Sequence, residues 1–242
     1  MPTQTFAGLP AQSVIFLRDL ARNNTRDWFE ANRADYEELV RDPLRGLRAA
    51  LLPGMIAVDP AFERGPGAGL SRIRRDTRFS RDKSPFRPRQ WISFKRPGAE
   101  WTGRPGFFLE ISPEACRHGM GFYCAGTRVM AELRALAGER PEEYAAAMAG
   151  AEGAGYDLVG EVYKRPRPPQ GGDALPECVR ELHRRRNVAL VQEIPLEKAL
   201  GNPGLAGILA AAYSAAAPLY RLWIEALERA ARPAAPDGDD WG

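Results

Sequence analysis

Between Arg72 and Lys83 the chain reads Arg-Ile-Arg-Arg-Asp-Thr-Arg-Phe-Ser-Arg-Asp-Lys. Residues of this kind and spacing can bind an anion. A guanidinium is planar, stays charged at any working pH and presents paired donors that match a phosphate or carboxylate. On an extended segment Arg72, Arg74, Asp76 and Arg78 fall on one side, while Ile73, Arg75, Thr77 and Phe79 fall on the other. Arg72, Arg74 and Arg78 are therefore the ligand candidates by alternation, and Lys83 joins them as a point charge in the following turn. Arg75 is expected to be an inward ion-pair partner. The opposing reading is that Asp76 pairs with these arginines in a purely structural network.

Asp76 and Asp82 are also the candidates for a general base, should the chain be an enzyme acting on a phosphorylated or carboxylated substrate. A third alternative is a nucleic-acid or protein interaction module. The basic residues are interleaved with Phe79, Phe86, Trp91 and Phe94, and phosphates seek charge while bases stack on rings. Cys116 and His118, two residues apart, raise a minor Cys-His nucleophile reading. His118 and His183 belong to no HxxxH, CxxC or acidic metal-ligand spacing, so no metal site is expected. The sequence has no GxGxxG, Walker-type loop or GxSxG elbow, and no cofactor is called for.

Charge supports the focus on this region. Positions 71–96 hold ten Arg or Lys against two Asp, a formal +8, whereas the 242-residue chain totals +3 and everything else carries −5. Apolar residues at 44% and charged residues at 27% are ordinary for a folded chain. The longest apolar stretch, 205–220, falls short of the roughly 20 residues of a membrane span, so no membrane association is expected. The first ten residues lack the pattern of a secretory signal. Three cysteines without CxxC spacing read as reduced thiols, and the cytoplasm is the expected location. The sequence leaves the oligomeric state open.

These residues must be held by surrounding elements. Ser13 is expected to cap a helix with Ile15, Phe16 and Leu20 on its apolar stripe, and Thr25 to cap a second bearing Trp28, Phe29, Tyr36 and Val40. Pro43 restarts the helical pattern, Leu44, Leu47, Leu51 and Leu52 continue it, and Pro53-Gly54 stops it. Positions 65–69 read as a linker. Strands are expected from Ile73 to Phe79, around Trp91–Phe94, over Phe107–Ile111 and over Gly119–Cys124, with connections short enough for antiparallel pairing. Two helices follow from Val129 and from Pro141, then a strand over Tyr156–Tyr163, a helix over Pro176–Arg185 and a strand over Val188–Ile194. The last is a helix over Pro203–Ala231 that Pro218 should bend or divide. The expected class is α+β, a mainly antiparallel sheet flanked by N-terminal and C-terminal helices. Residues 1–231 form one domain on this reading, and 232–242 a disordered acidic tail.

Asn23-Asn24, then Trp28-Phe29, then the run from Arg72 to Pro85 together resemble the bacterial and fungal domain of unknown function 2461 family. Gly119-Met120-Gly121-Phe122-Tyr123 and Tyr163-Lys164-Arg165-Pro166 fall where that family has similar segments. The resemblance implies an α+β fold and supplies no reaction. It marks Arg72, Arg75, Asp76, Arg78, Phe79, Asp82, Lys83 and Pro85, with Asn24 and Trp28, as the motif positions, so Asn24, Trp28 and Arg75 join the ligand-binding candidates. The chain departs from the family pattern at Phe86-Arg87, where Tyr-Lys is usual, and at Cys124-Ala125, where a Pro is usual. The first departure removes a hydroxyl from any chemistry at that position.

Overall fold

The computed structural model describes residues 6–65, 67–78, 81–98, 101–165 and 171–232. The N-terminal part is helical, and apolar spacing explains most of it. Helix α1, Ala11–Arg22, buries Val14, Leu17 and Leu20. Ser13 does not cap it. The helix begins after Pro10, and the Ser13 hydroxyl, buried within the first turns, donates to Leu39 O at 2.5 Å. Ile15 is 53% exposed and so lies off the apolar stripe. Thr25 does cap α2, Arg26–Ala31, accepting from the Trp28 amide at 3.3 Å.

Helix α3, Arg33–Tyr36, passes through a π turn over Glu37–Arg41 into α4, Asp42–Val58. Pro43 stands in the first turn of α4, directly after the π turn, and does not interrupt the helical path. Pro53 and Gly54 do not stop α4. Leu51 and Met55, on either side of them, are both buried in the core, and that packing outweighs the single hydrogen bond Pro53 removes.

Among the described residues five strands form one antiparallel sheet in the order β1-β2-β3-β5-β4: β1 Gln90–Phe94, β2 Pro105–Ile111, β3 Cys116–Phe122, β4 Asp157–Val159 and β5 Ala189–Ile194. Strict alternation in β1 and β2 turns Ile92, Phe94, Phe107, Leu109 and Ile111 inward. Helices α5 (Thr127–Glu139) and α6 (Pro141–Gly153) follow β3; α7 (Glu177–Arg184) precedes β5 and α8 (Leu196–Ala199) follows it. Helix α9, Leu205–Ala231, crosses the inner face, packing on β2 and β3 and against α4, α5 and α6. It runs undivided through Pro218. Among the described residues α9 is long and apolar enough to span a membrane by length and composition, which the shorter stretch counted in the sequence is not; half of its most apolar window is buried inside the fold. The architecture is α+β. The tail residues 233–242 lie outside the described part.

Two expected strands differ. Positions 73–78 form no strand, only an isolated antiparallel bridge between Arg74 and Phe86, with a second between Leu70 and Ile92. Pro85 and Pro88 withhold amide donors from the returning segment, so no continuous ladder can build. Phe79 and Ser80 lie outside the described residues. The strand expected over Tyr156–Tyr163 shortens to β4, because Gly160 leaves the extended line at φ +146 where any side chain would collide with Asn187 O.

Helix α9 is also clasped to the sheet by polar groups. Tyr213 donates to Phe108 O at 2.8 Å, and Tyr220 donates to Asp59 Oδ2 at 2.6 Å, the same oxygen that takes Arg96 Nε at 2.7 Å. Burial opposes ionisation of Asp59, yet the bonds from Tyr220, Arg96 and the Ala61 amide outweigh it and hold the carboxyl below its ordinary range.

Candidate anion-binding face

The motif segment forms a hairpin-like excursion from the edge of β1. Arg75 N–H donates to Pro85 O and Arg87 N–H to Ile73 O, each at 2.9 Å. Asn24 closes its base. Its Nδ2 donates to Phe86 O and its Oδ1 accepts from Phe86 N–H, both at 3.0 Å, so one side chain satisfies both backbone groups of a fully buried residue. The Phe86 ring stacks on Phe29 at 4.2 Å, and Trp28 packs on Phe16 at 5.6 Å. Helix α2 is thus the platform on which the hairpin rests, and both polar ends of the Asn24 amide are engaged by the backbone.

Exposure alternates along the hairpin although no strand forms: Arg72, Arg74, Asp76 and Arg78 are exposed, while Ile73, Arg75 and Thr77 are half-buried. Arg75, as expected from alternation, points inward and pairs with Asp82 at 3.0 Å. Asp82 also accepts the Ser84 amide, and the Ser84 hydrogen bonds hold its carboxyl below the ordinary range. Lys83 Nζ donates to Thr77 O at 2.8 Å, bracing the turn.

The outward side chains differ in how firmly they are engaged. Asp76 takes Arg78 in a bidentate grip, from Nε at 3.0 Å and Nη2 at 2.7 Å, with the Arg78 amide adding a third bond. These bonds pull the Asp76 carboxyl down to about 2. Arg74 reaches Glu30 at only 3.5 Å and lies 5.8 Å from the Phe86 ring centroid. Arg72 makes no ion pair with the described residues. Arg87 lies over Trp91 at 5.3 Å.

Chemically, this face can present guanidinium groups to an anion. As a base it is poor, because a carboxylate held near 2 has little affinity for a substrate proton at neutral pH. Among the described residues, stacking on bases is equally ill served: Phe86 and Phe94 are fully buried and Trp91 is half-buried. Two concavities, one between α6 and α9 and one beside α4, are not lined by Arg72 to Lys83, and the outward side chains of the hairpin are exposed, so the face is open.

The Cys-His reading fails on environment. Cys116 and His118 share one side of β3, but both are buried. Burial pushes the Cys116 thiol up to about 12 and the His118 imidazole down to about 4. The thiol therefore stays protonated, and His118 Nδ1 meets the Tyr156 hydroxyl at 3.0 Å instead. Among the described residues no group of three His, Cys, Asp or Glu could hold a metal ion.

Sequence reading passed over Arg48. It falls between Leu44, Leu47 and Leu51 on the apolar face of α4, and like them it is buried, at 6% exposed. An arginine set in an otherwise apolar stripe was the available signal. A sequence profile of the conserved hypothetical protein family DUF2461 matches residues 12–222, a span that takes in α2, the hairpin, α4 and the whole sheet. No curated protein and no solved structure matches the chain.

Proposed function

The chain belongs to the DUF2461 family, and we propose that its hairpin face makes it a binding domain for a phosphate- or carboxylate-bearing ligand. Arg72 and Arg74 are the principal donors, with Arg78 and Lys83 beside them. Asn24, Trp28 and Arg75 hold the hairpin in place and do not touch the ligand. The observation that carries the reading is the split between two kinds of arginine on one short segment. Arg75 turns inward onto Asp82, whereas Arg72 and Arg74 stand exposed and hold at most one long ion pair.

The openness of the face favours recognition of the anionic group alone, with little enclosure of the rest of the ligand. Exposed ion pairs contribute about 0–1 kcal/mol each, so a few such contacts give a dissociation constant no tighter than roughly 1 mM. Salt should weaken the binding, because exposed charges are screened over about 8–10 Å at physiological ionic strength.

Calorimetric titration with inorganic phosphate tests this. The Arg72→Ala/Arg74→Ala variant should lose a salt-sensitive component of the binding heat that the unaltered chain shows. An identical titration curve in both proteins would remove the hairpin from ligand binding.

A further inference from the structure

Beside α4 lies a second basic concavity, whose arginines come from outside the hairpin motif. Arg45, Arg48, Ala49 and Leu52 recur at the three- and four-residue spacing that puts them on one stripe of the helix. Opposite them stand Arg64 and Leu70, which flank the Gly-rich stretch read as a linker. Together they enclose about 110 Å³. At about 30 Å³ of liquid volume per water, that is room for three or four waters. It is far below the roughly 300–1,000 Å³ of a drug-sized pocket.

The stretch is anything but a loose linker here. Gly69 O accepts from the Ser93 amide at 2.7 Å, and Leu70 bridges Ile92. Gly69 has φ +70, and a Cβ there would lie 2.1 Å from Ser93 O and 2.6 Å from Arg48 Nε. Only glycine lets the backbone close over the buried guanidinium.

Arg48 is the reason to look for a ligand. Its Nε donates to Ser93 O at 3.3 Å, its Nη2 donates to Glu63 O at 2.6 Å, and its guanidinium lies 5.2 Å from the Phe94 ring centroid. Those contacts leave Nη1 without a hydrogen bond to the described residues. Among the described residues no carboxylate lies within ion-pair distance; Glu63 acts on it through its charge alone. A charge taken out of water is normally compensated by an opposite one. The two neighbouring cations are only loosely engaged: Arg45 pairs at 3.5 Å with Asp42, a carboxylate that Arg41 holds at 2.8 Å, and among the described residues Arg64 donates to Pro60 O at 3.1 Å without an ion pair.

We propose that this crevice binds a small oxyanion, phosphate or sulfate in size and charge, with Arg48 at its floor and Arg45 and Arg64 at its rim. The ligand is either the free ion or the terminal group of a larger molecule leaving past Leu52 and Leu70. This site is independent of the hairpin face.

Arginine Nε–Hε correlation spectra of the whole chain, recorded during titration with inorganic phosphate and separately with phenyl phosphate, test the proposal. The Arg48 signal should shift and saturate, with chloride at matched ionic strength leaving it in place. Tighter binding of phenyl phosphate would identify a terminal group, and tighter binding of inorganic phosphate the free ion. Arg45→Ala/Arg64→Ala alters two exposed side chains and should weaken the binding about tenfold or more, the loss expected for charge-assisted hydrogen bonds. Arg48→Lys, if folded, should weaken it likewise, and Arg72→Ala/Arg74→Ala should leave the Arg48 shift intact. An Arg48 signal unmoved by either phosphate, or moved equally in the Arg45→Ala/Arg64→Ala variant, would overturn the site.

Discussion

Replacing Asn24 with alanine removes both hydrogen bonds to the Phe86 backbone at once. Leaving buried backbone groups unpartnered costs about 1–3 kcal/mol. Asn24→Ala should therefore lower unfolding stability by roughly 2 kcal/mol in urea titration, with Asn24→Asp keeping the acceptor and losing less. An unchanged midpoint would show that the clasp is dispensable. Resemblance placed Asn24 within the motif, but its task depends on a residue 62 positions later and could not be read from its neighbours.

His118 makes a second prediction at this scale. Its ordinary value is 6.5 and burial takes it to about 4 in the fold. The unfolded chain thus binds a proton that the folded chain refuses across that window. The stability linked to His118 is complete above about 6.5 and is lost as pH falls toward 4, by up to about 3 kcal/mol. His118→Gln should flatten the stability profile between pH 4 and 6.5. A slope in that window equal to the parent's would contradict the assignment.

Among the elements, those with uninterrupted periodicity were legible. Sequence spacing located β1, β2, β5, α5, α6, α7 and α9 within a few residues, because each hides one face and repeats an apolar residue at the matching period. Local punctuation misled where burial overruled it, as at Pro53 in α4, and where a proline on the partner segment prevented pairing, as at 73–78. For the same reason alternation gave the correct facing of Arg72, Arg74 and Arg75 while giving the wrong element.

Strand β3 contains a packing demand that the run Gly119-Met120-Gly121 only hints at. A Cβ on Gly119 would come within 2.1 Å of Leu190 O on β5 and 2.9 Å of the Phe108 ring on β2. Gly119→Ala should cost about 1–3 kcal/mol, the usual penalty of overpacking, seen as a lower melting temperature. A melting temperature equal to the parent's would mean that the two neighbouring strands separate easily.

For the molecule as a whole, charge and core are distributed in a way that separates folding from recognition. The interior is one cluster of buried side chains from the helices and the inner sheet face; beside it Asp59 has its own charged and hydroxyl partners, whereas Arg48 has two backbone carbonyls and, among the described residues, no opposite charge. The excess of positive charge sits on the hairpin and the segment that returns from it. Composition exposed that asymmetry, but it could not show that the arginines divide into an inward brace and an outward face, which depends on how the hairpin lies against α2. The ligand's anionic group is the part of the chemistry that these residues specify.

The most direct test follows the guanidinium signals of Arg72 and Arg74 during phosphate titration at low and at physiological ionic strength. Saturable shifts of both signals at low salt that shrink as salt is raised are the expected result. Signals that stay fixed at low salt, with phosphate in the millimolar range, would contradict an anion-binding role for the hairpin face.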